Sequence, residues 1–128
     1  MADERRRILV VEDSPMMTRM YRLVLGGRHD LTFAADGVEG LDAAARDPGL
    51  ELMIVDVNMP SMDGLEFIRR VRGELGMTGV PILVCSTEAS EADQASAREA
   101  GGHAFLPKPW TPEQLLAAVA TRLAAGAG

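Results

Sequence analysis

The chain has 128 residues, 47% of them hydrophobic and 25% charged, which is enough for one domain with a full apolar core. A net charge of −6 argues against nucleic acid as the main partner, because binding phosphate backbones calls for a basic face. No stretch approaches the roughly 18 apolar residues that a membrane span needs. The opening MADERRRILV reads as three arginines before a strand rather than a cleavable leader, and the lone cysteine, Cys85, predicts a reducing, cytoplasmic setting.

Taken in chain order, short apolar runs alternate with amphipathic stretches. Arg5, Arg6 and Arg7 form the one basic cluster and read as a solvated tail before the first run, Ile8–Val11. Ser14 then supplies an N-cap and Pro15 a first helical position, with Met16, Met20, Leu23 and Val24 spaced as one apolar face and Gly26-Gly27 as the stop. The run Leu31–Ala34 is interrupted by Thr32, which suits an edge strand. A helix from about Val38 to Arg46 ends at Pro48, and the run Leu52–Val55 follows. A third helix starts near Gly64, with Leu65, Ile68 and Val71 at helical spacing. After Ile82–Cys85, Ser90 caps a helix over Glu91–Ala100 that stops at Gly101-Gly102. After Ala104–Leu106, Thr111-Pro112-Glu113-Gln114 reads as a capping box opening a last helix, with Leu115, Leu116, Val119 and Leu123 on its apolar stripe. The Gly/Ala tail beyond Leu123 reads as frayed.

Five strand–helix alternations, most strands apolar on both faces, predict a doubly wound α/β domain with a parallel five-stranded sheet and right-handed crossovers. The functional edge of such a sheet lies beyond the carboxyl ends of its strands. Glu12-Asp13, Asp56, Ser86-Thr87 and Lys108 fall there. Each of these alone reads as an ordinary loop residue; four strand ends delivering three acids, a hydroxyl and a lysine to one rim point to chemistry. Crowded carboxylates suit a hard cation such as Mg²⁺, or Mn²⁺ in its place, and an aspartate can act as a nucleophile toward phosphorus. Of 13 basic residues Lys108 is the only lysine; its compact ammonium suits a phosphate oxygen better than the wide fork of arginine.

The segment Val10-Val11-Glu12-Asp13-Ser14, the run Asp56-Val57-Asn58-Met59-Pro60-Ser61-Met62-Asp63-Gly64, the strand ending at Ser86, and Lys108-Pro109 together resemble response-regulator receiver domains over about Arg7 to Leu123. The resemblance implies a flavodoxin-like fold with strand order 2-1-3-4-5, a single stand-alone receiver domain over 1–128 without an effector domain, and a cis Lys108-Pro109 bond. It implies Asp56 as phosphoacceptor, Glu12 and Asp13 as the acidic pair around the metal, and the Asn58 backbone carbonyl as a further metal ligand. Ser86 takes the switch-hydroxyl position and Lys108 the phosphate-pairing position. The implied partners are a sensor histidine kinase or phosphotransfer protein and a downstream protein read on the helix 4–strand 5–helix 5 face, with no nucleic acid and no membrane insertion. A separate turnover enzyme is not implied.

Some positions depart from the commonest family pattern. Glu12 replaces Asp and lengthens the reach to the metal. Thr87 stands where a small residue is frequent and narrows access to Asp56. Phe105 keeps the ring but lacks the hydroxyl of the tyrosine found in chemotaxis-type receivers. Asn58 and Glu88 occupy the positions that tune phosphoryl lifetime and match the chemotaxis type, which implies a short-lived signal. Cys85 reads as an inward strand residue, and His29 and His103 have no partner at metal-ligand spacing. Two other readings compete: a receiver-like interaction module that works without phosphorylation, and a Mg²⁺-dependent phosphatase, which would need a second acid where Asn58 stands.

Overall fold

The computed structural model describes residues 5–59 and 62–127, so Pro60 and Ser61 of the central motif lie outside the described residues. Strand β1 spans Arg7–Val11, β2 Asp30–Ala34, β3 Leu52–Asp56, β4 Ile82–Ser86 and β5 Ala104–Pro107. They alternate with helices α1 (Pro15–Leu25), α2 (Gly37–Arg46), α3 (Gly64–Gly73), α4 (Glu91–Ala100) and α5 (Pro112–Ala127). All strand pairs are parallel and the sheet order is β2-β1-β3-β4-β5, the expected doubly wound arrangement. β2 is an edge strand, as the Thr32 interruption predicts.

Alternation along the central strands divides the core in two. Leu9, Val11, Met53, Val55, Ile82 and Val84 face one layer, where Phe67, Ile68 and Val71 of α3 and Ala97 of α4 cover them. Ile8, Val10, Leu52, Ile54, Leu83 and Cys85 face the other, under Tyr21 and Leu25 of α1 and Leu115 and Val119 of α5. Both sets are apolar because both faces are covered, which is why these strands read as unbroken hydrophobic runs. Cys85 is fully buried, as its strand position predicts.

Three expectations are corrected. The apolar face of α1 is not Met16, Met20 and Leu23, which are 68%, 37% and 74% exposed. Its sheet-facing residues are Tyr21 and Leu25, with Met17 and Val24 beside them. The helix carries apolar residues on adjacent stripes about 100° apart, so spacing alone does not fix its phase; burying the Tyr21 ring and Leu25 does. The arginine cluster is solvent-exposed at Arg5 and Arg7 but is paired rather than a free tail: Arg5 pairs with Asp30 at 2.8 Å, Arg6 with Glu51 at 3.1 Å and Arg7 with Asp47 at 3.5 Å. The final helix continues to Ala127 rather than fraying after Leu123, in keeping with the helix propensity of its alanines.

Candidate functional site

Strand register builds the rim. Val11 stands beside Val55, and Asp56 beside Cys85, so one step past β1 places Glu12 level with the last residue of β3. Ser86 pairs with Pro107, and Lys108 follows directly, its backbone N–H donating to the Ser86 carbonyl at 2.8 Å. The Lys108-Pro109 bond is cis.

The chain then leaves each strand by a locally determined turn. Ser14 caps α1, its hydroxyl accepting from Met17 N–H at 3.3 Å, and this turns the backbone sharply after the acidic pair. Asp63 caps α3 by accepting from Glu66 N–H at 2.9 Å. Gly64 is required by contact: a Cβ there would stand 2.8 Å from Val57 Cα and would also strike the Asp56 carbonyl oxygen. The Asp-Gly end of the motif therefore seats α3 directly on the backbone at the end of β3.

Carboxylate oxygens of Glu12, Asp13 and Asp56 lie within 4.8 Å of one another. Glu12 and Asp56 are each 4% exposed, while Asp13 faces solvent. Lys108 Nζ sits 3.1 Å from Glu12 Oε1 and 3.1 Å from Asp56 Oδ1. The other Glu12 oxygen accepts from Ser14 N–H at 3.1 Å. Burial, and then the charge of Asp56, hold the Glu12 carboxyl above its usual range. Burial opposes the charge on Lys108, but Glu12 and Asp56 outweigh it and raise the lysine above its ordinary value. The ammonium is thus fixed in its charged form by the acids it serves.

The donor set fits a hard divalent cation. It offers oxygen atoms only, on a cluster open to water at Asp13, with enough negative charge that a single ammonium leaves it in excess. Asn58 is exposed and its N–H donates to Asp56 Oδ1 at 3.3 Å. Ser86 is 1% exposed, and its hydroxyl oxygen accepts from Glu88 N–H at 3.0 Å, leaving its own O–H for another acceptor. Thr87 and Glu88 are exposed on the loop beyond. Phe105 is half-buried and lines a small cavity of about 180 Å³ with Val57, Leu65, Ser86 and Glu88. His29 and His103 belong to no metal-capable cluster among the described residues.

Two features escaped sequence reasoning. Glu12 reaches Lys108 as well as the rim, for which the only signal was its extra methylene. Trp110 packs on Tyr21, with ring centroids 5.2 Å apart; a sole tryptophan two residues after the sole lysine was a signal left unused.

An α/β domain of this topology, with three acids and a lysine on its carboxyl rim, matches the family model of the response regulator receiver domain over residues 8–120. The chain belongs to the response-regulator receiver family of two-component signal transduction. Among its relatives is the chemotaxis protein CheY homolog of Campylobacter jejuni, 35% identical over 124 residues that cover 95% of each chain. Chemotaxis protein CheY1 of Helicobacter pylori is 33% identical over 111 residues, covering 85% of this chain and 90% of that one. The crystal structure of Vibrio cholerae chemotaxis protein CheY4 matches with a TM-score of 0.86 at 33% identity, covering 92% of this chain and 98% of the other. No helix among the described residues is long and apolar enough to cross a membrane.

Proposed function

We propose that this protein is a phosphorylation-dependent signalling switch of the chemotaxis type, with Asp56 as its phosphoacceptor. The observation that carries the reading is the placement of Lys108 Nζ 3.1 Å from Asp56 Oδ1 inside a cluster of three carboxylates. Glu12, Asp13, Asp56 and the Asn58 carbonyl would hold Mg²⁺ or Mn²⁺, which when bound neutralises charge on the transferring group. A carboxylate oxygen of Asp56 attacks the phosphorus of a partner's phosphohistidine. The P–N bond breaks, and the imidazole leaves with its electron pair and takes up a proton.

The phosphoryl group carries about −1.5 to −2 charges in place of one. Lys108 moves from Glu12 toward it, and the Ser86 O–H turns to donate to it. Displacement of Ser86 and of the β4–α4 loop alters the cavity beside Phe105. That biases the α4–β5–α5 surface toward the form a downstream protein binds. Phe105 can fill the cavity but brings no hydroxyl, so the switch acts there by packing alone. Thr87 and Glu88, exposed at the mouth, set how water reaches the acyl phosphate. The protein acts in the cytoplasm on protein partners, and its chemistry is confined to its own phosphorylation and dephosphorylation.

Acetyl phosphate with Mg²⁺ should add one hydroxylamine-labile phosphate per chain. Uptake of the same phosphate by Asp56→Asn would remove the assignment.

A further inference from the structure

His103 stands just before β5, at the end of the sheet opposite the acidic rim. Its Nδ1 faces two donors, the Ile82 N–H at 3.1 Å and an Arg72 guanidinium N–H at 3.0 Å. Neither of these can accept a hydrogen bond, so Nδ1 carries the lone pair and Nε2 the proton. The His103 N–H donates in turn to the Ile82 carbonyl at 2.9 Å. Ring and backbone together therefore tie the start of β5 to the start of β4.

Arg72 extends this tie to the helices. Its guanidinium donates to the Met77 and Val80 carbonyls, each at 2.7 Å, and twice to the Gly101 carbonyl, at 2.8 and 3.1 Å. Gly101 closes α4 in the left-handed region, φ 119°, where a Cβ would stand 2.7 Å from Arg72 Cγ. Apolar burial holds α4 weakly. It buries only Ala97 and Ala100, whereas α3 buries Phe67, Ile68 and Val71. Asp93 and Ser96 of its first turns line the cavity beside Phe105. The polar ties at its carboxyl end thus matter to where α4 sits.

One proton undoes this arrangement. On Nδ1 it meets two donors and no acceptor, and the imidazolium then faces Arg72 from α3 and Arg122 from α5. β4 presents only the Ile82 N–H and the end of α4 only the Gly101 backbone, so no carboxylate among the described residues offsets the two arginines. Such a histidine keeps its contacts complete above its unfolded value of about 6.5 and loses them as pH falls through its depressed folded one.

We propose that His103 is a pH-operated latch, which fastens the α4–β5 edge to α3 and β4 when neutral and frees that edge when protonated. This rests on the reading of α4–β5–α5 as the surface that phosphorylation of Asp56 reshapes. The latched edge belongs to the form in which Asp56 is paired with Lys108. Ser86 and Lys108, at the other ends of the same two strands, are drawn away from that form by a phosphoryl group. Any shift of the edge strains the latch, so acid and phosphorylation act in the same direction.

The neutral ring should show the Nε2–H tautomer by nitrogen-15 nuclear magnetic resonance at about pH 8. His103→Asn puts an amide oxygen where Nδ1 stands, an acceptor that does not titrate. Between about pH 7.5 and 5.5, amide protection at Ile82 and the last turn of α4, corrected for intrinsic exchange, should fall roughly five-fold, as for about one lost hydrogen bond. It should hold in His103→Asn. Beryllofluoride with Mg²⁺, used as a phosphoryl mimic, should move the His103 titration to higher pH by reciprocal linkage and leave that of His29 in place.

An Nδ1–H tautomer overturns the latch, and so does protection that holds in the parent or falls equally in His103→Asn. An unmoved His103 titration in the beryllofluoride complex overturns the coupling to phosphorylation. If beryllofluoride shifts no signal at the acidic rim, the phosphoacceptor reading fails, while tautomer and exchange still decide the latch.

Discussion

Lys108 holds its ammonium equidistant from two buried acids, 3.1 Å from Glu12 Oε1 and 3.1 Å from Asp56 Oδ1. A divalent cation at the same carboxylates competes with it for the same negative charge. Lys108→Ala leaves two buried carboxylates facing each other and should cost about 3 kcal/mol. Millimolar Mg²⁺ should restore more stability in this variant than it adds to the parent, because no ammonium has to be displaced. Urea midpoints with and without Mg²⁺ measure this; equal Mg²⁺ shifts in the two proteins would contradict the competition.

His103 gives a pH dependence far from that site. Its Nδ1 accepts from Ile82 N–H at 3.1 Å and lies 3.0 Å from Arg72. Burial, then Arg72 and Arg122, hold its pKa below the ordinary value. A base with a depressed folded-state pKa contributes stability that is complete above its unfolded value and is lost as pH falls through the folded one. The urea midpoint should therefore fall between about pH 7.5 and 5.5, and less steeply in His103→Gln. A residual slope belongs to His29, which is shifted the same way by burial and by Arg5, Arg28 and Arg6.

Gly64 is a steric requirement of the end of β3. Gly64→Ala forces α3 away from Val57 and Asp56, an overpacking that should cost about 1–3 kcal/mol. It should slow acetyl phosphate labelling too, since the displaced backbone carries Asp56, the proposed nucleophile. Thermal melting and labelling measured on the same preparation test both halves.

The corrected phase of α1 is checked by two leucines two residues apart. Leu25→Ala should cost about 2–5 kcal/mol, as for a fully buried leucine. Leu23→Ala, at a site 74% exposed, should change stability by less than about 0.5 kcal/mol. The reverse order would return α1 to the phase its spacing first suggests.

These leucines also mark the limit of sequence reading. β3 and β4 were legible because every residue in them is buried, so composition alone betrays the strands. The caps at Ser14 and Ser90 were legible because the bond each makes is local. The phase of α1 was not, since seven of its eleven residues are apolar or aromatic and only the sheet decides which of them it takes. The arginine pairs likewise join Arg5, Arg6 and Arg7 to residues 25 or more positions away, beyond any local pattern. At the rim, the motif brought Asp13, Asp56 and Lys108 into one expected cluster, and they lie together, but the Glu12–Lys108 contact spans 96 positions and appears only with the folded register.

The sole lysine has a consequence for anyone handling the protein. Amine-selective reagents have one side-chain target in this chain, and that target is 12% exposed and held charged between two carboxylates. Only a deprotonated amine reacts, so acylation of Lys108 proceeds no faster than the ion pair opens. The labelling rate of one side chain thus becomes a clock for how often the ammonium lets go of Asp56, readable by mass alone and without a partner protein.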